Sequence, residues 1–347
     1  MSKICSYARL IAFQVPSTSV HLNMGNSSSS PQWDIDRDVP NLEGKVIIVT
    51  GGNAGLGFAT VQHLVRHGAK IYMASRSKEK VEAAIAKLDL REGAGSVEWL
   101  ELDLGDPRKA KASAEKFLEK EARLEILVNN AAMVNAIYKK SIDDIQDVMV
   151  TNPFIFTKTL LPLLEKTAAA ANEPNSDVRI VNVSSRAIQF LSDDIRFRNR
   201  EDFNDEHTGG FSPSLLRAGR SKLANILFTK QLQSDLDAKN VPIITIALSP
   251  GTVNTEGTQI VMNDNNWILR PILTFLSNLL LPTAVKGAYT QVFAAVAPIV
   301  RQEADKYKGV FLMPPAVISK TSKPGESGEL AKELWETTEA LLNELGV

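Results

Sequence analysis

A single doubly wound α/β domain, with one seven-stranded parallel sheet flanked by helices on both faces, is the fold class the sequence predicts, and three observations lead to it. Apolar runs of strand length alternate with segments of helical periodicity from residue 41 almost to residue 347. The first run, VIIV at residues 46–49, passes directly into a glycine-rich stretch, TGGNAGLG at residues 50–57. Two strand–helix–strand halves are in place by about the middle of the chain, and right-handed crossovers put their strands in one parallel sheet.

The first run is long enough for a buried parallel strand, and the glycines after it mark a tight strand-to-helix turn. They fall at Gly51, Gly52, Gly55 and Gly57, which misses the general pattern G-x-G-x-x-G but fits T-G-x-x-x-G-x-G from Thr50 onward. In such a turn some glycines take positive φ, and others let backbone amides approach a pyrophosphate on the N-terminus of the next helix. Taken alone, the motif fits a ligand-free glycine-rich loop equally well.

Phe58, Val61, Leu64 and Val65 recur at helical spacing, with Gly68 placed to close that helix. A second strand is expected at residues 70–74, then a helix whose Val81, Ala84, Ile85 and Leu88 share a face. The third strand spans residues 97–103. Asp106 and Pro107 form an N-cap and first-position pair for a helix burying Ala110, Ala114, Phe117 and Leu118. Strands at 125–130 and 178–184 flank a helical segment that runs from about Ile142. Later come strands at 243–248 and 309–313, with an apolar helix at 284–297 between them. An amphipathic helix at 329–345 closes the fold.

Composition narrows the function classes. The 347 residues suffice for one sizeable domain with an extension, and 44% hydrophobic against 23% charged residues is the balance of an ordinary globule. A net charge of −1 offers no basic surface for nucleic acid. The lone cysteine, Cys5, precludes an internal disulfide and points to a reducing, cytoplasmic setting. Among the four histidines only His63 and His67 share helical i, i+4 spacing, and without a third ligand they are expected on a solvated helix surface.

Residues 1–40 read as a flexible N-terminal extension ahead of a domain at 41–347. The broken apolar run around Leu10–Phe13 is too short for a secretory signal, and residues 25–40 are rich in serine and proline. A weak organellar presequence and a start at Met24, which would expose a myristoylation-like Met-Gly-Asn-Ser-Ser-Ser, are alternatives.

Several motifs then line up in order: the turn at 50–57, Asp103, the run Asn129-Asn130-Ala131-Ala132, Asn152, VNVSS at 181–185, SKLAN at 221–225 and SPGTVNT at 249–255. On these, over residues 41–345, the chain resembles the short-chain dehydrogenase/reductases, and within them the retinol-dehydrogenase-like group. The resemblance implies a Rossmann-type fold that binds NAD(P) and transfers hydride between the nicotinamide and a carbonyl or carbinol carbon. Cofactor contacts are implied for Thr50, Gly51, Asn53, Gly55, Leu56, Gly57, Asp103, Leu104, Asn129, Asn130, Ala131, Lys222, Pro250, Gly251, Val253 and Thr255, with Thr252 beside them. Asp103 would meet the adenine. Cofactor choice follows from charge at the end of the second strand, where an acid favours NAD and a base accommodates the 2′-phosphate of NADP. Here that strand ends in Ser75 and Arg76, with Lys78 close behind and no acid before Glu79, which favours NADP(H). A plain surface role for Arg76 is the alternative.

The family's proton transfer uses a tyrosine one helical turn before a lysine, a serine on the carbonyl oxygen and an asparagine in a water relay. Ser185, Lys222 and Asn152 match three of these positions. The tyrosine position holds Ala218, and no tyrosine lies between Tyr138 and Tyr289. Positioned acid–base catalysis contributes about 10²–10⁴ in rate, so the chain is either an impaired or engineered variant of an active reductase or a cofactor-binding pseudoenzyme with a binding or regulatory role. Retention of Ser185, Asn152 and Lys222 favours the single loss. Two smaller departures accompany it: Ala132 replaces a usual glycine, tolerable at negative φ, and Pro153 marks either a helix kink or a helix boundary.

Residues 256–282 are the expected substrate lid, rich in leucine, isoleucine, Trp267 and Phe275. Three readings fit this stretch: a lid over a hydrophobic substrate, a surface helix making peripheral membrane contact, and core packing; it is too interrupted to span a bilayer. Phe190, Ile195, Phe197, Phe203 and Phe211, spaced along residues 186–213, are expected to border the same pocket. The expected partner is a small lipophilic alcohol, ketone or aldehyde, and the resemblance adds a homodimer or homotetramer.

Overall fold

The computed structural model describes residues 33–133, 137–149, 152–170, 177–208, 212–251 and 284–347. Within them β1 (Val46–Thr50) leads through the glycine turn into α1 (Gly55–Val65), followed by β2 (Lys70–Ser75), α2 (Lys78–Ile85), β3 (Ser96–Glu101), α3 (Pro107–Lys120) and β4 (Ile126–Asn129). The second half contributes α4 (Asn152–Ala169), β5 (Val178–Val183), the long α5 (Pro213–Ala238), β6 (Ile243–Leu248), α6 (Tyr289–Val296), β7 (Phe311–Met313), β8 (Val317–Ile318) and α7 (Gly328–Glu344). Strand order is β3-β2-β1-β4-β5-β6-β7-β8. The order reverses between β1 and β4, so the carboxyl ends of these two strands open the crevice where such sheets bind ligands.

The sheet is one strand larger than expected. β8 pairs antiparallel to β7, with Leu312 opposite Ile318, while β1 to β7 are parallel. Two residues carry no readable periodicity, which is why β8 leaves no mark in the sequence. The two sheet faces build separate cores. Ile47, Val49, Ile126, Val128, Val181 and Ile246 pack under α1 and α6, whereas Ile48, Leu127, Ile180 and Ile243 pack under α3, α4 and α5. Asp106 caps α3 as expected, its carboxylate accepting from the Arg108 amide.

Some local expectations fail for tertiary reasons. The segment from Ile142 is not helical: Lys140 bridges Gln146, Asp144 takes a φ of 56°, and a 3₁₀ turn at Asp147–Met149 follows. The described helix runs from Asn152, with Pro153 in its first described turn; the two residues that decide between a kink and a boundary at Pro153 lie outside the described residues. The 284–297 stretch is two helical pieces, Ala284–Gly287 and α6. Leu118 stays 36% exposed. His63 is buried rather than solvated, and burial pushes its imidazole below its ordinary pKa; no metal-binding cluster occurs among the described residues. Nor is any described helix long and apolar enough to cross a membrane.

One buried cation ties the layers together. Arg179 on β5, fully buried, donates through Nη1 to Ala294 O (3.0 Å) and through Nη2 to Ala297 O (2.9 Å) at the carboxyl end of α6, while its Nε meets Asp177 at 2.7 Å.

Candidate active site

The glycine turn closes on itself so tightly that a side chain cannot enter it at one position. A Cβ on Gly57 would lie 2.3 Å from Gly51 O and 2.6 Å from Asn130 Nδ2. At Gly55, by contrast, φ is +53° and nothing lies within 4 Å of a Cβ, so the turn faces open space there. α1 has no acidic residue in its first turn, and its N-cap, Ala54, makes no side-chain cap bond, which leaves the helix end suited to an anion. Asn53 and Leu56 complete this lip, both partly exposed.

Thr50 and Asn130 hold the turn from below. Thr50 Oγ1 accepts from the amides of Asn130 (3.0 Å) and Ala131 (2.9 Å), and Asn130 Nδ2 donates to Thr50 O at 2.9 Å. Ala132 has no positive φ, so the missing glycine there introduces no strain. At the end of β2, Ser75 is half-buried and Arg76 is exposed. Lys78 pairs with Glu82 at 3.7 Å and lies over the Trp99 ring. Burial works against the charged form of Asp103, yet the Gly105 amide, Lys109 at 3.1 Å and the nearby charge of Arg76 together hold its carboxyl below the ordinary value. Leu104 beside it is half-buried. The residues at the ends of β1, β2 and β3 thus present a glycine turn and an exposed guanidinium, a donor set that fits a nicotinamide dinucleotide.

The other half of the site hangs on α5. Gly219 lets that helix press against the loop after β5, since a Cβ there would sit 2.9 Å from Ala187 O. Ser185 caps the 3₁₀ turn Arg186–Phe190, its Oγ accepting from the Ala187 amide at 3.1 Å. Lys222 Nζ donates to Val183 O at 2.9 Å, and Asn225 Nδ2 shares that carbonyl at 3.0 Å. Ala218 lies one turn before Lys222, half-exposed, with no polar atom beyond its backbone. Asn152 is described as the first residue of α4, though its side chain is not. Pro250 and Gly251 follow β6, the Gly251 amide donating to Ser249 Oγ at 3.2 Å. Thr252, Val253, Thr255 and the 256–282 lid lie outside the described residues.

Enclosure of the ammonium brings Lys222 from its ordinary pKa of 10.5 down to about 8. The folded protein therefore holds this proton less tightly than the unfolded chain. The burial cost is fully present below about pH 8 and is relieved as pH rises toward 10.5, so this group makes stability rise with pH across that window. Relative to a Lys222→Met variant, the protein should gain at most about 2 kcal/mol between pH 8 and pH 9.5, measured by urea unfolding. A flat difference across that range would contradict the enclosed ammonium.

Three of the five loop residues expected to border the site do not. Ile195, Phe197 and Phe203 are buried with Ile188, Leu223 and Ile226 in a core of their own beneath α5; Phe190 is 39% exposed and Phe211 is outside the described residues. Alternation with charges resembled a pocket rim, but the charges pair within the loop and with α7, as Arg198 does with Asp202 and Arg196 with Glu333. Sequence reading also passed over Asn182, Thr157 and Thr229, which are buried and bonded beneath the site. A polar residue within the apolar run of β5 was the one available signal.

Residues 45–192 match the family model described as short chain dehydrogenase. A short-chain dehydrogenase/reductase of Armillaria gallica is 40% identical over 321 residues, spanning 91% of this chain and 98% of that protein. This chain belongs to the short-chain dehydrogenase/reductase family. Another member, from Colletotrichum higginsianum, is 38% identical over 90% of this chain and 78% of its own. Among solved structures, an uncharacterized protein from Mycobacterium Paratuberculosis superposes with a TM-score of 0.63 at 26% identity, covering 90% of this chain and 97% of that one. Pseudomonas aeruginosa RhlG in its NADP complex gives 0.56 at 22% identity over 79% and 96%, a likeness of fold. As a short-chain dehydrogenase/reductase the chain is of an oxidoreductase family that acts on alcohol and carbonyl groups with a nicotinamide dinucleotide.

Proposed function

We propose that this short-chain dehydrogenase/reductase uses NADP(H) to interconvert a lipophilic alcohol and its ketone or aldehyde, and that its proton step is impaired because Ala218 stands where the family has tyrosine. The observation that carries the cofactor reading is the end of β2, where Ser75 is half-buried, Arg76 is exposed and no acid stands between them and Glu79. A planar guanidinium recognises a phosphate by two parallel bonds, which an acid at that place would repel. Changing Arg76→Asp should invert the preference, lowering NADPH affinity about 10- to 100-fold while NADH binding holds or improves, as read by isothermal titration. An unchanged ratio would sink this reading.

When bound, the dinucleotide supplies the hydride. The open side of Gly55 and the first amides of α1 would receive its phosphates, Asp103 and Leu104 would lie by the adenine, and Lys222 would hold the nicotinamide ribose with donors left beyond its bond to Val183. Ser185 Oγ donates to the carbonyl oxygen of the substrate. Asn152 belongs to the water relay that would refill a donor. At position 218 there is no hydroxyl to hand over the proton, so the step lacks its positioned donor. The lipophilic substrate is supported by the apolar composition of the 256–282 lid and by Met133 and Phe190, each 39% exposed and within a few residues of Asn129–Ala132 or Ser185. Ala218 also favours a second reading, a dinucleotide-binding pseudoenzyme with a regulatory role. Tight NADPH binding without turnover, even after tyrosine is restored, would support that one.

A further inference from the structure

Beneath the site a chain of buried side-chain amides and hydroxyls crosses the sheet from α4 to α5. Asn129 Nδ2, on β4, donates both to Thr157 Oγ1 of α4 (2.9 Å) and to Asn182 Oδ1 on β5 (2.9 Å). Asn182 Nδ2 donates to Thr229 Oγ1 of α5 at 2.9 Å, and that hydroxyl donates onward to Asn225 O at 2.7 Å. Thr245 Oγ1 on β6 donates to Thr229 O at 3.0 Å. Asn182, Thr229 and Thr245 are fully buried, and Asn129 and Thr157 nearly so.

A polar chain in such a core costs desolvation free energy unless its members are bonded; here Asn129 donates to both sides, and the Thr229 hydroxyl both accepts from Asn182 and donates to Asn225 O. Its geometry is more specific than its stability requires. Asn129 and Asn182 are register partners at the carboxyl ends of β4 and β5, on the face that points at α4 and α5. Thr229 lies one turn after Asn225, whose side chain shares Val183 O with Lys222 Nζ. The residue after Asn182 therefore supplies the acceptor that anchors the ammonium, while Asn182 itself fixes how far along β5 the helix carrying that ammonium can sit.

We infer that Asn182 is a positioning residue for Lys222: through Thr229 and Asn225 it sets the register of α5 against β5, and so the place of the ammonium at the dinucleotide site. This rests on the reading of Lys222 as a dinucleotide contact, and the experiment separates the two. NADPH dissociation constants would be measured by fluorescence titration for the unaltered chain, Lys222→Met, Asn182→Leu, Thr229→Val and the Asn182→Leu/Lys222→Met double variant, with circular dichroism and thermal unfolding on each.

Lys222→Met must weaken NADPH; if it does not, the reading of Lys222 fails first. Given that loss, Asn182→Leu is expected to raise the dissociation constant about 5- to 20-fold in the unaltered background and less than about 2-fold in the Lys222→Met background. Equal losses in both backgrounds would show a general loosening of the fold and overturn the inference, as would no loss in either. Should Asn182→Leu fail to fold, Thr229→Val keeps the side-chain shape and breaks the same chain, and with a Thr229→Val/Lys222→Met double variant it carries the same comparison.

Discussion

Replacing Ala218 by tyrosine is expected to raise NADPH-dependent carbonyl reduction about 10²- to 10⁴-fold, the usual contribution of a positioned acid or base. The position is prepared for it. Residues four apart on a helix face the same side, so a phenol at 218 would stand next to the Lys222 ammonium, whose charge favours the phenolate and eases proton release. Gly219 lets the helix approach Ala187 O, two residues after Ser185. Ala218 is partly exposed, whereas its neighbours Arg217 and Gly219 are buried. A panel of lipophilic ketones and aldehydes, assayed by loss of NADPH absorbance, measures the gain. No gain on any of them would remove the impaired-reductase reading and leave the pseudoenzyme.

The largest loss of stability is expected from Arg179→Met. The side chain is fully buried and its guanidinium is the partner of two carbonyls at the end of α6, Ala294 O and Ala297 O. Methionine fills much of the volume but leaves Ala294 O without its donor and Ala297 O with only the Val300 amide at 3.1 Å, at roughly 2–4 kcal/mol in all. Asp177 suffers less, because it is partly exposed and has Arg301 at 4.0 Å. Urea unfolding followed by circular dichroism measures the change. A loss below about 1 kcal/mol would mean that water or a shift of α6 satisfies the carbonyls, and that the layers are not pinned at this point. Arg37→Ala, which breaks an exposed pair with Asp38, should leave stability unchanged within error.

The sequence carries the features whose causes are local. A strand followed by a glycine turn is written in adjacent residues, and so is the Asp106-Pro107 start of α3, because steric and capping constraints act over a few bonds. The charge at the end of β2 and the alanine at 218 are legible for the same reason. What was misread depends on partners far along the chain. His63 and Leu118 exchange their expected surroundings because helix faces are decided by what packs on them. Phe197 and Phe203 looked like a pocket wall, and only the placement of α5 over them makes them core. The amide chain through Asn182 joins residues 28 to 53 positions apart, beyond the reach of any periodicity.

The proposed use of NADP(H) depends on which dinucleotide this chain prefers. Isothermal titration of the unaltered chain with NADPH and with NADH tests it without any variant and without turnover. The arrangement of Gly55, Ser75 and Arg76 predicts one site per chain with NADPH bound at least about tenfold more tightly than NADH. Equal affinity, a preference for NADH, or no binding of either would contradict it.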